Sequence, residues 1–195
     1  MSEQRDKNLW IFNAGNSFAG NPKWMFEYII RHHKEIKPVW MCYNADTMNY
    51  VHKLGYEAEL YHSSKGKSVM AKAGVYVVEM CKEVFQPELS GITVLNLWHG
   101  VGCKSIERKV TDGFLQERIA KKYIQNNDIL RNNQLFLVTS EIMEKHFKEQ
   151  CGIDDDKVIR AGYPRCVVND NIQSYDHDIH EVCSSGYETS SRSPS

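Results

Sequence analysis

Nowhere does the chain string together the roughly 20 apolar residues that a membrane span needs, and its polar start, MSEQRDKN, lacks the apolar core of a signal peptide. Any contact with a membrane is therefore expected to be peripheral. Net charge is also scarce, at -1 near neutral pH, which argues against general nucleic-acid binding through a strongly basic surface. The six cysteines, Cys42, Cys81, Cys103, Cys151, Cys166 and Cys183, contain no CxxC pair and no short metal-ligand spacing. They read as reduced thiols of a cytosolic protein, and no metal site is expected. After the first apolar run there is neither the GxGxxG spacing of a dinucleotide loop nor the GK[ST] ending of a P-loop, so neither cofactor is implied.

What is present is a globular composition. Of 195 residues, 42% are hydrophobic and 11% aromatic, enough for one domain with a proper core. Short apolar runs alternate with helix-length amphipathic segments, the pattern of an α/β fold with a mainly parallel sheet. The expected strands are Leu9 to Asn13, Val39 to Tyr43, Glu59 to Tyr61, Val75 to Glu79, Thr93 to Trp98, Leu135 to Thr139 and Val158 to Ala161. Most are too continuously apolar to be one-sided hairpin strands. Between them, Asn21-Pro22 predicts a capped helix running to His33. Asp46 predicts a cap for a helix ending near Gly55, Ser64 or Ser68 predicts a short helix before Gly74, and helices are expected over Phe114 to Gln125 and Ser140 to Gln150. The single lobe is expected over 1–168, and the polar, low-complexity stretch 169–195 is expected to be a disordered tail.

In an open parallel sheet, ligands bind where strands end at their carboxyl edges. Four polar segments fall at such points. In the first, Asn13 to Lys23, two glycines permit close backbone approach and the asparagines offer donors and acceptors to an anionic or polyol ligand, while a well-formed turn plus a helix cap explains the same residues. In the second, LNLWHGVGCKSIERK, His99 emerges at the strand end and Gly100 lets the backbone turn. With an unperturbed pKa of roughly 6.5, a histidine here suits a neutral base for an attacking hydroxyl. It equally suits a structural hydrogen bond to a neighbouring carbonyl. The third, Ala161-Gly162-Tyr163-Pro164-Arg165, presents a guanidinium fork suited either to phosphate oxygens or to a surface carboxylate. The fourth, Ser63 to Ser68, is a short basic turn that reads as solvated loop.

Taken in order and spacing, GNSFAGNPKWMFEYI, VLNLWHGVGCKSIERK and VIRAGYPR resemble the CDP-glycerol glycerophosphotransferases of teichoic acid synthesis, over about Leu9 to Arg165. The resemblance implies a GT-B architecture of two Rossmann-like lobes, with this chain as the first, acceptor-side lobe. It implies transfer of glycerol phosphate from CDP-glycerol to a hydroxyl of a lipid-linked polyol phosphate acceptor or growing poly(glycerol phosphate) chain, with release of CMP and with no cofactor. By the same analogy His99 is the general base. Gly15, Asn16, Asn21 and Lys23 line the acceptor side, Gly100 of the histidine motif is a further substrate-binding residue, and Lys104 and Arg165 contact phosphate. The implied location is cytoplasmic, peripheral at the inner face of the plasma membrane where the lipid-linked acceptor lies.

Two departures accompany the resemblance. Cys166-Val167-Val168 intervenes where the family often continues with a polar residue and an aspartate. The second lobe, expected to hold the donor nucleotide and to supply a further histidine, is not represented, so the chain is expected to be a truncated or split version. A non-catalytic remnant or binding module of the family is the alternative reading, and an unrelated sugar-nucleotide transferase or epimerase lobe is a third.

Overall fold

The computed structural model describes residues 4–80, 86–100, 106–125 and 134–170. Seven strands, β1 (Asp6–Phe12), β2 (Lys37–Cys42), β3 (Ala58–Leu60), β4 (Ala73–Val78), β5 (Thr93–Asn96), β6 (Gln134–Val138) and β7 (Val158–Arg160), form one sheet. The helices are α1 (Gly20–His32), α2 (Ala45–Lys53), α3 (Ser64–Lys72), α4 (Gly113–Gln125), α5 (Glu141–Cys151) and α6 (Pro164–Asp170). The sheet order is β3-β2-β1-β4-β5-β6-β7 and every pairing is parallel. Each expected strand lies where an apolar run stands in the sequence.

Those runs are continuous because the sheet is covered on both sides. Side chains alternate along a strand, and the alternation here separates two buried clusters. Phe12, Trp40 and Val77 join one with Phe26, Ile29 and Val51 of α1 and α2, and with Met143 and Phe147 of α5. Their neighbours Ile11, Met41, Tyr76 and Val78 join the other, with Met70 of α3 and with Leu89 and Ile92 before β5. The first cluster is aromatic beneath the β1–α1 loop. Phe18, from the loop itself, drops its ring to 4.6 Å from that of Trp40 and 5.7 Å from that of Phe26, anchoring the loop in the core.

At the opposite, amino-terminal edge of the sheet, Arg5 stitches separate crossings together. Its guanidinium donates to the carbonyls of Met70 and Ala71 at the end of α3 and of Ala73 at the start of β4, and to those of Glu88 and Ser90 before β5.

The helix starts differ from the sequence expectations in instructive ways. Asn44, not Asp46, caps α2, accepting from the Thr47 N–H at 2.8 Å; Asp46 falls inside the first turn. Ser63 caps α3 and accepts from Gly66 N–H, which converts most of the expected basic loop into helix; Lys65 pairs with Glu59 and Lys67 lies 3.8 Å from Glu88. For α1, Asn21 is not the cap. Ala19 holds that position without a side-chain bond, and Asn21 lies inside the first turn. Helix α5 follows expectation, with Ser140 accepting from Met143 N–H and Gly152 closing it at φ +66°, a left-handed conformation that suits glycine. Ser140→Ala is expected to cost about 1 kcal/mol, read as a fall in Tm of about 2–4 °C for a domain of this size.

Helix α6 starts at the proline of the third motif and includes Asn169 and Asp170; the rest of the expected tail, 171–195, lies outside the described residues. Among the described residues no helix is long and apolar enough to cross a membrane.

Candidate active site

The chain leaves β1 towards β2 on one side, while β4 pairs with β1 on the other and begins the run in the opposite direction. This reversal makes the carboxyl ends of β1 and β4 the place where an open parallel sheet parts to receive a ligand. The β1–α1 loop, Glu79 after β4, the Trp98-His99-Gly100 segment after β5 and the start of α6 all meet there.

Buried asparagines shape the strand ends. Asn13 donates its side-chain amide to Met41 O at 2.7 Å, and its carbonyl oxygen accepts from Gly15 N–H at 3.1 Å, closing an Asx turn. Asn96 accepts from Trp98 N–H at 3.0 Å. That bond helps to hold Trp98 at φ +52°, a left-handed conformation costly for a bulky residue. The Trp98 ring is fixed against Phe136 and Phe147, and its carbonyl receives a 2.7 Å hydrogen bond from Asn21 Nδ2. The reversal turns the chain so that the next residue, His99, emerges exposed at the sheet edge.

His99 is held on three sides. Its ring stacks on that of Trp98 at 4.4 Å between centroids, its carbonyl accepts from Arg165 Nη2 at 3.0 Å, and its Nδ1 lies 2.7 Å from the Glu79 carbonyl oxygen. A carbonyl can only accept, so Nδ1 carries the proton in that bond. In the neutral ring Nε2 is then an unprotonated acceptor. One nitrogen thus makes the structural bond, and in the neutral ring that bond leaves the other as an acceptor.

Asn21 ties the three motifs together. Its side chain is fully buried, donating to Trp98 O and accepting from the Arg165 backbone N–H at 3.4 Å, while its own N–H donates to Glu79 Oε2 at 3.2 Å. Expected to line the acceptor side, it instead shapes the site from beneath, because it has no exposed surface to offer a ligand. Tyr163 adds a further link, its hydroxyl donating to Gly100 O at 3.2 Å. Arg165 is exposed, and among the described residues its guanidinium makes one hydrogen bond, to His99 O, which leaves most of its five N–H donors open.

The other expected residues divide. Gly15 and Asn16 lie in the loop at the mouth of the site. The Asn16 carbonyl is held by Thr47 Oγ1 at 2.8 Å and by Asn44 Nδ2, while its side chain is exposed. Lys23 does not join the cluster: its ammonium lies 3.8 Å from Glu27 and 4.7 Å from the Trp24 ring centroid, one turn along α1. Lys104 lies outside the described residues.

Glu79 is the residue that sequence reading passed over. Burial pushes its carboxyl above the ordinary carboxylate range, opposed by the hydrogen bond from Asn21 N–H and by electrostatic interaction with His99 and Arg165. Its carboxylate fills the space above Gly20, where a Cβ would meet Glu79 Oε2 at 2.0 Å; that crowding and a φ of +71° both call for glycine at this position. Like Asn13 and Asn96, Glu79 is a polar residue directly after or at the end of its own apolar run, a pattern that does not by itself separate a buried carboxylate from a solvated one.

The sequence model of a family described as CDP-Glycerol:Poly(glycerophosphate) glycerophosphotransferase matches residues 1–184. The chain belongs to that family. The match extends beyond the Leu9 to Arg165 span that the three motifs cover. Among relatives of this glycerophosphotransferase-family chain is the teichoic acid poly(glycerol phosphate) polymerase of Bacillus subtilis strain 168, 25% identical over 163 residues that make up 77% of this chain and 20% of the polymerase. Among solved structures, the wall teichoic acid polymerase TagF, as a histidine-to-asparagine variant soaked with CDPG, superposes with a TM-score of 0.74 at 13% identity, over 95% of this chain and 46% of that one. A histidine-to-alanine variant of TagF gives 0.68 at 16% identity, over 85% and 41%. The chain thus spans a fifth of the curated relative and less than half of the TagF chains. At these identities the superposition establishes a shared fold.

Proposed function

We propose that this chain is the acceptor-side half of a GT-B CDP-glycerol glycerophosphotransferase, acting in the synthesis of teichoic acid or a related cell-surface polymer. The observation that carries the reading is the tautomer of His99, whose Nδ1–H is committed to the Glu79 carbonyl so that Nε2 is an acceptor at the mouth of the sheet. In the reaction, Nε2 takes the proton of an acceptor hydroxyl as its oxygen attacks the glycerol-bearing phosphorus of CDP-glycerol. The new P–O bond forms while the bond to the bridging oxygen breaks, and CMP leaves. Arg165 faces the phosphate oxygens with its open donors, a planar fork matched to an oxygen pair, and Gly15, Asn16 and Gly100 border the acceptor. The acceptor is a lipid-linked polyol phosphate, so the chain works at the inner face of the cytoplasmic membrane as a peripheral protein.

The donor nucleotide calls for a second lobe across the cleft, and the coverage of the polymerase and of TagF supports that division. The same coverage favours one other reading, a binding module that keeps the acceptor site without turnover. Incubating the purified chain with CDP-glycerol and a lipid-linked acceptor, and measuring CMP, separates the two. Release that depends on acceptor supports catalysis; binding of acceptor with no CMP above background assigns the chain to the second reading.

A further inference from the structure

The carboxylate of Glu79 occupies a position that nucleotide-binding sheets of this topology leave to phosphate, the amino terminus of the helix after β1. Oε2 accepts from Asn21 N–H, and the carboxylate lies against Gly20, so the first turn of α1 is already satisfied by an anion of the protein's own. An incoming phosphate would meet like charge there, and the switch point is therefore closed to the group it most often binds. A hydroxyl has the opposite relation to this carboxylate, because an ionised carboxylate only accepts and has about four lone-pair sites. Among the described residues one hydrogen bond reaches the group, on Oε2, and Oε1 has no protein donor. The same residue's backbone carbonyl orients His99. Glu79 thus presents an acceptor from its side chain and sets the base with its main chain.

We propose that Glu79 is a specificity residue for the acceptor, its carboxylate receiving a hydrogen bond from a non-reacting hydroxyl of a polyol so that the neighbouring hydroxyl lies at His99 Nε2. This rests on the acceptor-side reading above and adds to it the chemical class selected: a vicinal diol end of a polyol phosphate, with its phosphate directed away from α1 towards Arg165. A terminal glycerol unit carries such a diol. A chain end with a lone hydroxyl offers nothing to Glu79.

The test pairs Glu79→Gln with two probes: a short poly(glycerol phosphate) oligomer, and the same oligomer whose terminal unit lacks the 2-hydroxyl. Binding to the whole chain is followed by NMR titration. Glutamine keeps an oxygen for Asn21 N–H, and removing a desolvated charge is expected to leave Tm at neutral pH no lower than in the unmodified chain. The expected result is a loss of about tenfold or more for the natural oligomer, as for a hydrogen bond to a charged group, with the deoxy probe binding both proteins alike. Such non-additivity is what direct contact produces and a merely structural role does not. An equal loss for both probes, or no loss for either, overturns the assignment of Glu79 while leaving acceptor binding intact. Failure of the unmodified chain to bind either oligomer overturns the acceptor-side reading, and this inference with it.

Discussion

Replacing His99 by alanine is expected to lower the rate of acceptor-dependent CMP release by a factor of about 10²–10⁴, the range over which a positioned general base acts. The fold should survive the change. The His99 ring is exposed and contributes one hydrogen bond, to Glu79 O, and one stacking contact, with Trp98, so the expected cost in stability is about 1 kcal/mol. Rate and stability therefore separate, and a thermal melt beside the assay shows whether they do. A rate unchanged by the substitution would rule His99 out as the base. Nitrogen NMR of the imidazole gives a second reading without turnover: in the neutral ring, Nδ1 should be protonated and Nε2 bare. The reverse tautomer would leave no acceptor facing the substrate.

The second large effect belongs to Asn21→Asp. The two side chains have nearly the same shape, but the Nδ2 that donates to Trp98 O at 2.7 Å becomes an oxygen facing an oxygen, in a position with no access to water. A buried carboxylate with one oxygen forced against a carbonyl and only the long Arg165 N–H bond to the other is expected to cost about 3 kcal/mol or more, a drop in Tm on the order of 10 °C. The sign of its pH dependence follows from the burial. Desolvation raises the introduced carboxyl's pKa in the folded state above the unfolded value of about 3.9. The penalty is therefore absent below that value, grows as pH rises towards the raised pKa, and is constant above it. Melts at pH 4 and pH 7 compared with those of the unmodified chain measure the difference. Equal losses at both pH values would show that charge is not the cause.

Strand placement was legible in the sequence because a sheet buried on both faces writes each strand as an unbroken apolar run. Ile11 and Phe12 point to opposite clusters, yet both are apolar, and the same holds for Trp40 and Met41. Helix starts were less legible, because Asn44 and Asp46 are both good acceptors two residues apart and backbone geometry at Thr47 decides between them. Within the site, three motifs in order pointed to one family, and the structure joins them through Asn21, Trp98, His99 and Arg165. Spacing along the chain could not show how they meet. Asn21 reaches a carbonyl 77 residues away, and the backbone bond that it receives from Arg165 spans 144. Glu79 was hidden for the same reason: its partner Asn21 is 58 residues distant, and nothing in VYVVEM distinguishes a carboxylate that faces a helix from one that faces solvent.

The guanidinium of Arg5 gives the fifth residue an influence out of proportion to its place in the chain. Removing this one side chain would leave five carbonyls on two crossings without their charged donor together. One side chain thus couples the end of α3 to the approach to β5, so that loosening either crossing deprives the other of its anchor at the edge of the sheet opposite His99.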